Sequence, residues 1–453
     1  MRGTVMIRRR KILQAGVLLV VASAVLVVAL PASGAKHSKA VRAAAPSDRY
    51  VPAQPEPGTA IPEASVRFGM RPYADNTFYV VAMKKGWFKD VGITITPQPY
   101  GLKVTDAVVV SLLLKQGLDI SSEFGPLLLP VLKTENVLRL VGFVDTFQGW
   151  AVLANPKLKL KTVQDYMKEG LAFRAALRKA LEPVSKSTLV VAPQISARPF
   201  VQIAFKLAGL PLPKFQVLDD SKSLVLAKAG RIDFATPEGA PITLTYENAG
   251  WAPLVSPIDI LQNEPGGPNS EIEPLAATVG LAAHAEYVNT HQTTVLRFLS
   301  VVFRTIEQIQ KNPPILELMA PYLNSVAGTN LDWRGIKKTL EVLDPLSNFQ
   351  YQTNYCFKPK SALFYGNAYN AFIRILEDQK VLDRGKYKAD DVIWACQLYR
   401  ELTNYKSKTD AILKQLSGKS LSADKKALVA KAKQYYGWYD FLDAYRFAKA
   451  ASA

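Results

Sequence analysis

The chain is poor in cysteine and histidine, with two Cys and three His in 453 residues. Neither Cys356 nor Cys396 has a Cys or His neighbour at ligand spacing, and His37, His284 and His291 form no recognisable ligand set. A metal or redox centre is therefore not expected, and neither is a cofactor. The sequence also lacks a G-x-S-x-G elbow, an H-E-x-x-H pair and an S-x-x-K set with its partners. An exported hydrolase, the main rival from another class, thus has no nucleophile with a base at hand. No catalytic residue is expected.

What is present begins with one long apolar run. Arg8, Arg9, Arg10 and Lys11 precede Ile12 to Leu30, and small residues follow, ending at Ala35. That is the layout of a secretory signal, with cleavage after Ala35 expected. The run is also about long enough to span a bilayer if retained, so residues 1–35 read as either a cleaved signal or an anchor. Both readings put the rest of the chain outside the cytoplasm. Arg9-Arg10-Lys11-Ile12-Leu13-Gln14 resembles a twin-arginine export signal, the other reading being an ordinary basic n-region. No Cys follows the run, which excludes a lipoprotein anchor.

The roughly 420 residues after the signal exceed what one hydrophobic core holds and suit two lobes. Of the formal charge of +18, the signal contributes Arg2, Arg8, Arg9, Arg10 and Lys11 and no acid. The remaining surplus is scattered and accompanied by no nucleic-acid motif, so no nucleic-acid partner is expected. An anionic membrane surface or an anionic ligand is the milder reading. The two cysteines, in an oxidising compartment, are either a disulfide or two buried thiols.

Residues 36–65 are rich in Ala, Pro and Ser without an apolar period, and read as a flexible tether. From Val66 the pattern is β-α-β: VRFGM as a strand, Thr77 to Lys85 as a helix capped by Gly86, then alternation from Val91 to Thr96. DAVVVSLLLKQG and LDISSEF repeat the step, and with Val137 to Val144 they argue for a parallel-rich sheet covered by helices. Residues 66–148 form the first part of lobe 1 and 149–256 form lobe 2. Residues 257–360 return to lobe 1, with LAATVGLAA as the returning strand. The stripe Val295, Leu299, Val302, Ile306 and Ile309 marks one buried helix face. Residues 361–453 are a helical extension, and its aromatics from Tyr435 to Phe441 read as packing.

Three passages, RPYADNTFYVVAMKKGWFKDVGITITP, LLLKQGLDISSEFGP and LAKAGRIDFATPEGAP, resemble the solute-binding proteins of nitrate/sulfonate/taurine-type ABC transporters. That family also includes receptors for pyrimidine precursors of thiamine. The resemblance covers roughly Val66 to Ala320. It implies an α/β, two-lobed type II periplasmic-binding-protein fold, with an added C-terminal helical region here. It further implies a monomer that captures a small molecule between lobes and delivers it to an ABC permease in the inner membrane. A ligand sensor for a membrane partner is the alternative.

Ligands of open α/β sheets bind beyond the carboxyl ends of strands, near helix N-termini. The loops to inspect are 71–77, 121–125, 193–198 and 236–239. They supply Tyr73 for stacking, Asp75, Asn76 and Thr77 as polar contacts or helix caps, and Ser121, Ser122 and Glu123 at a strand end. Ser196 lies near a helix start, Arg198 is the candidate partner of an anionic group, and Glu238 closes the set. Arg198 favours a sulfonate, carboxylate or nitrate, whereas Asp75, Glu123 and Glu238 favour an amine or hydroxyl. A zwitterion or polar heterocycle reconciles them.

Overall fold

In the computed structural model, which describes residues 49–192, 197–265, 270–361 and 363–453, eleven strands form two sheets. The export signal 1–35 and the tether up to residue 48 lie outside the described residues. In chain order the strands are β1 (Ala64–Met70), β2 (Ile93–Thr96), β3 (Leu102–Lys103), β4 (Ile120–Phe124), β5 (Leu138–Thr146), β6 (Val152–Ala154), β7 (Thr188–Val191), β8 (Lys214–Val217), β9 (Phe234–Thr236), β10 (Ala252–Val255) and β11 (Thr278–His284).

The first sheet has the order β2-β1-β4-β11-β5, with β3 beside β1. Its β1, β2 and β4 are parallel, as β-α-β connections require, whereas β11 runs antiparallel to both β4 and β5. The sheet is parallel-rich with one opposed member, β11, which returns from the other lobe instead of crossing over a helix. The second sheet has the order β10-β6-β9-β7-β8. The chain passes between sheets twice, from β5 to β6 and from β10 to β11. Gly149 sits in the first crossing, where an added Cβ would lie 2.8 Å from both Ala240 and the Phe147 ring. Only glycine lets the two segments approach so closely.

The helix Gln292–Lys311 buries Val295, Leu299, Val302, Ile306 and Ile309 against the first sheet's helices. The C-terminal helices do more than cover that lobe. Strand β5 is buried along its whole length, and its outer edge is occupied: Leu140 N–H donates to Val392 O at 2.7 Å and Trp394 N–H to Leu140 O at 2.9 Å. An edge so paired cannot recruit another strand. Arg304 lies between the rings of Trp87 and Trp438, at 4.7 and 4.3 Å, which fastens the terminal aromatic cluster to the first lobe.

The expectation of a flexible tether through residue 65 needs correction from Arg49 onward. Tyr50 donates to Glu401, Ala53 N–H donates to Glu401 Oε1 at 2.9 Å, and Arg446 donates to the carbonyls of Glu56 and Ala60. Composition suggested disorder, but an irregular segment holds its place when tertiary partners satisfy its backbone. Residues 64 and 65 already belong to β1.

Cys356 and Cys396 are joined in a disulfide with Cα atoms 5.3 Å apart, closing a loop across 40 positions. It ties the helix Gln352–Cys356 to the start of the helix Ala395–Leu416. A loop of this length is worth about 4 kcal/mol in the chain-entropy account. Cys356→Ser/Cys396→Ser is expected to lose about that much in urea unfolding. An unchanged midpoint would show that the extension is held by packing alone.

Candidate functional site

Where loop 71–77 of the first lobe meets loop 236–239 of the second, the lobes touch. The position of a Cβ on Gly239 lies 2.9 Å from the Tyr73 ring, so any larger residue there would push the loops apart. Beneath this contact is a small cavity of about 20 Å³, lined by Arg71, Tyr73, Asp75, Asn76, Phe124, Phe147, Trp150, Glu238 and Val279. That is room for about one water, so the lobes stand closed on each other. The lining comes from the ends of β1, β4 and β5, from the short helix Ala74–Thr77, from β11, from the crossing segment, and from the loop after β9.

Four sequence-derived candidates meet here: Tyr73, Asp75, Asn76 and Glu238. The Asn76 amide donates to Asp75, while Asn76 Oδ1 and Asp75 Oδ1 are buried without partners. Neither side chain caps its helix, whose N-cap at Tyr73 has no side-chain bond. Glu123 lies under the cavity on β4; its Oε1 accepts from Phe124 N–H and stands 3.8 Å from Arg71 Nη1. Ser122 Oγ accepts from Arg71 N–H at 3.2 Å.

Thr77 and Ser121 hold the scaffold. Thr77 Oγ1 donates to Tyr73 O at 2.8 Å, and Ser121 Oγ donates to Gly69 O at 3.1 Å inside the sheet. Ser196 lies outside the described residues. Arg198, expected as an anion's partner, is partly buried in the first turn of the helix Ala197–Leu207 and is not in the cavity lining.

The cation at the cavity is Arg71, which sequence reasoning passed over. It is 4% exposed, its Nε donates to Asp106 on the helix Asp106–Leu114, and its guanidinium lies 4.8 Å from the Tyr73 ring. Also missed were Asp220, whose carboxylate accepts from Glu238 N–H at 3.3 Å, and the aromatic wall of Phe124, Phe147 and Trp150. Trp150 and Phe147 belong to the crossing between lobes, and that position was the one available signal for them. Deeper still, Asp145 at the end of β5 and Asp344 after the segment Thr339–Leu343 are wholly buried with Asp75.

Burial raises Asp75, Glu123, Asp145, Asp220, Glu238 and Asp344 above the ordinary carboxylate range. Asp75 is pushed up to about 6, Glu123 to about 8 and Asp220 to about 6, with Arg71 pulling back on the first two. Glu238 is raised by burial, then by Asp106 and Asp220; Asp145 and Asp344 are raised by burial and then by neighbouring acids. Among the described residues no group of His, Cys, Asp or Glu is placed to hold a metal ion.

The described strands and crossings match solved structures. The alkanesulfonate-binding protein SsuA from Xanthomonas axonopodis pv. citri, bound to MOPS, is 14% identical with a TM-score of 0.50, covering 74% of this chain and 99% of that one. The periplasmic aliphatic sulphonate binding protein SsuA from Escherichia coli is 14% identical with a TM-score of 0.51, covering 77% and 100%. The chain has the periplasmic-binding-protein fold. The periplasmic nitrate-binding protein NrtA from Synechocystis PCC 6803 shares that fold at 13% identity and a TM-score of 0.51, covering 75% and 88%. No protein-family model matches the sequence, and no curated protein does. At such identities the likeness concerns the fold; sulfonate and nitrate are ligands of those proteins. In a periplasmic-binding fold the interlobe cavity found here occupies the crevice beyond the strand ends.

Proposed function

We propose that the chain is an exported solute-binding receptor that captures a small polar molecule between two lobes and delivers it to an ABC permease in the inner membrane. In this reading residues 66–148 and 257–360 form one lobe, 149–256 the other, and 361–453 a helical extension locked onto the first. The observation that carries it is the cavity roofed by Tyr73 against Gly239, one residue from each lobe. A ligand reaches such a place only if the lobes part, and it favours closure by bridging them. The cavity residues are two acids, four aromatics, an asparagine, a valine and one arginine, a set suited to recognition and without a nucleophile–base pair. The signal at residues 1–35 puts the receptor outside the cytoplasm, and among the described residues no helix is long and apolar enough to cross a membrane.

Gly239→Val tests the cleft directly. Its side chain would occupy the space of the Tyr73 ring, so the variant is expected to show a larger radius of gyration by small-angle scattering than the parent chain. Its far-UV circular dichroism should be unchanged. Equal radii would mean that this contact does not hold the lobes closed, and the proposed cleft would be lost with it.

A further inference from the structure

Taking the receptor reading as its basis, we propose that the ligand is a small protonated amine, recognised through its N–H donors and positive charge, and not a sulfonate, carboxylate or nitrate. Hydrogen-bond inventory is the first reason. Asn76, 1% exposed and lining the cavity, has an unpartnered Oδ1, and Asp75 beside it has an unpartnered Oδ1. Asp106 Oδ2 and Glu123 Oε2, around the same arginine, are also buried without partners. All four atoms can accept a hydrogen bond from a donating molecule, and among the described residues the one donor in the lining without a hydrogen-bond partner, Trp150 Nε1, stands by Glu238 and holds down its carboxyl.

Charge is the second reason. Among the described residues Arg71 is the only basic one in the lining, and its guanidinium is already engaged by Asp106 and Glu123. With Asp75 and Glu238 also present, carboxyl groups outnumber the one cation. Burial raises these carboxyls, and an ammonium brought among them draws them into their charged form and pairs with it, whereas an anion opposes that ionisation. The basic balance of the whole chain, +18, is no guide to this site, since among the described residues the cavity lining holds Asp75 and Glu238 and no lysine.

The third reason is the wall. Tyr73, Phe124, Phe147 and Trp150 line the same space, with Phe147 and Trp150 ring centroids 4.8 Å apart. Aromatic faces attract a cation most strongly where water is excluded, and they also accept the apolar body of an amine. Acceptors at one side and rings at the other describe an ammonium group attached to a small organic part.

The test uses the purified full chain and four probes: methylammonium, benzylamine, methanesulfonate and nitrate, each titrated by calorimetry and followed by small-angle scattering. The amines are expected to bind and the two anions not to. Glu238→Gln is expected to weaken benzylamine about 10- to 100-fold, the loss of one charge-assisted contact, with unchanged far-UV circular dichroism. Asp75→Asn is the second variant, with the same expectation, and decides if the first does not fold. Binding of methanesulfonate or nitrate in place of the amines overturns the amine assignment and leaves the receptor reading standing. If neither class binds, both are overturned. Amine binding that is equal in both variants and the parent chain also overturns the assignment.

Discussion

Asp443→Ala is expected to destabilise the folded chain by about 3–5 kcal/mol, the cost of stranding a buried cation. Arg297, 2% exposed on the helix Gln292–Lys311, donates through Nε to Asp443 Oδ2 at 2.6 Å and through Nη2 to Oδ1 at 3.1 Å. Arg446 adds a bond to the same Oδ1. Burial pushes the Asp443 carboxyl up, but the two guanidiniums overcome that and hold it below its ordinary value. Removing the carboxylate leaves Arg297 inside the protein with no counter-charge of equal reach, because the neighbouring Asp440 is itself raised by burial and by Asp443. Urea unfolding measures the loss. Arg297→Met/Asp443→Leu, which removes both charges and keeps volume, is expected to recover most of it. A single variant within 1 kcal/mol of the parent would show the pair to be unimportant. The helix Phe441–Ser452 would then be held by apolar contacts and by the Arg446 bonds to Glu56 and Ala60.

The second large effect is expected from Asp145→Asn, and it has a sign set by pH. Asp75, Asp145 and Asp344 are buried together, and each is raised by burial first and by another member of the trio next or close after, or, for Asp75, opposed by Asn76 and Arg71. Tyr79 and Arg71 are the other titratable groups facing Asp75 and Asp145, and Tyr355 also faces Asp145. A carboxyl whose folded pKa lies above its unfolded value keeps its proton in the folded state while the unfolded chain releases it. Stability is therefore fullest at or below about pH 4 and falls as pH rises through the folded values. For Asp75, pushed up to about 6, the shift corresponds to about 3 kcal/mol. Asn at position 145 removes one acid from the trio. The variant's Tm is expected to match the parent's near pH 4 and to exceed it by several degrees at pH 8. Equal values at both pH values would mean that the trio ionises freely and is reached by water.

How much of this was readable from the chain differs from residue to residue. Tyr73, Asp75, Asn76 and Glu238 line the interlobe cavity, and a local pattern, strand then loop then helix, pointed to their loops. Arg198 satisfied the same rule and is not in the cavity, since the rule names strand-end loops and not which two of them meet. Ser121 and Thr77 have suitable chemistry, yet their hydroxyls are consumed by Gly69 and Tyr73 backbone carbonyls. Asp106, Asp145, Trp150, Asp220 and Asp344 stand in five separate segments, and no spacing or period relates them.

The sequence by itself determined the export signal as an expectation, the alternation of strands and helices, the two-lobed plan and the stripe on the helix Gln292–Lys311. These follow from periodicity and composition, which act over one turn or one strand at a time. Tertiary structure alone decided that the 49–63 segment is strapped to the C-terminal helices, that β5 has a covered edge, and that the cleft of a basic protein is acidic. Charge at a site depends on which side chains burial brings within a few ångströms of each other, and on which partners remain to them there. That is a property of contacts between distant segments, and net charge averages it away.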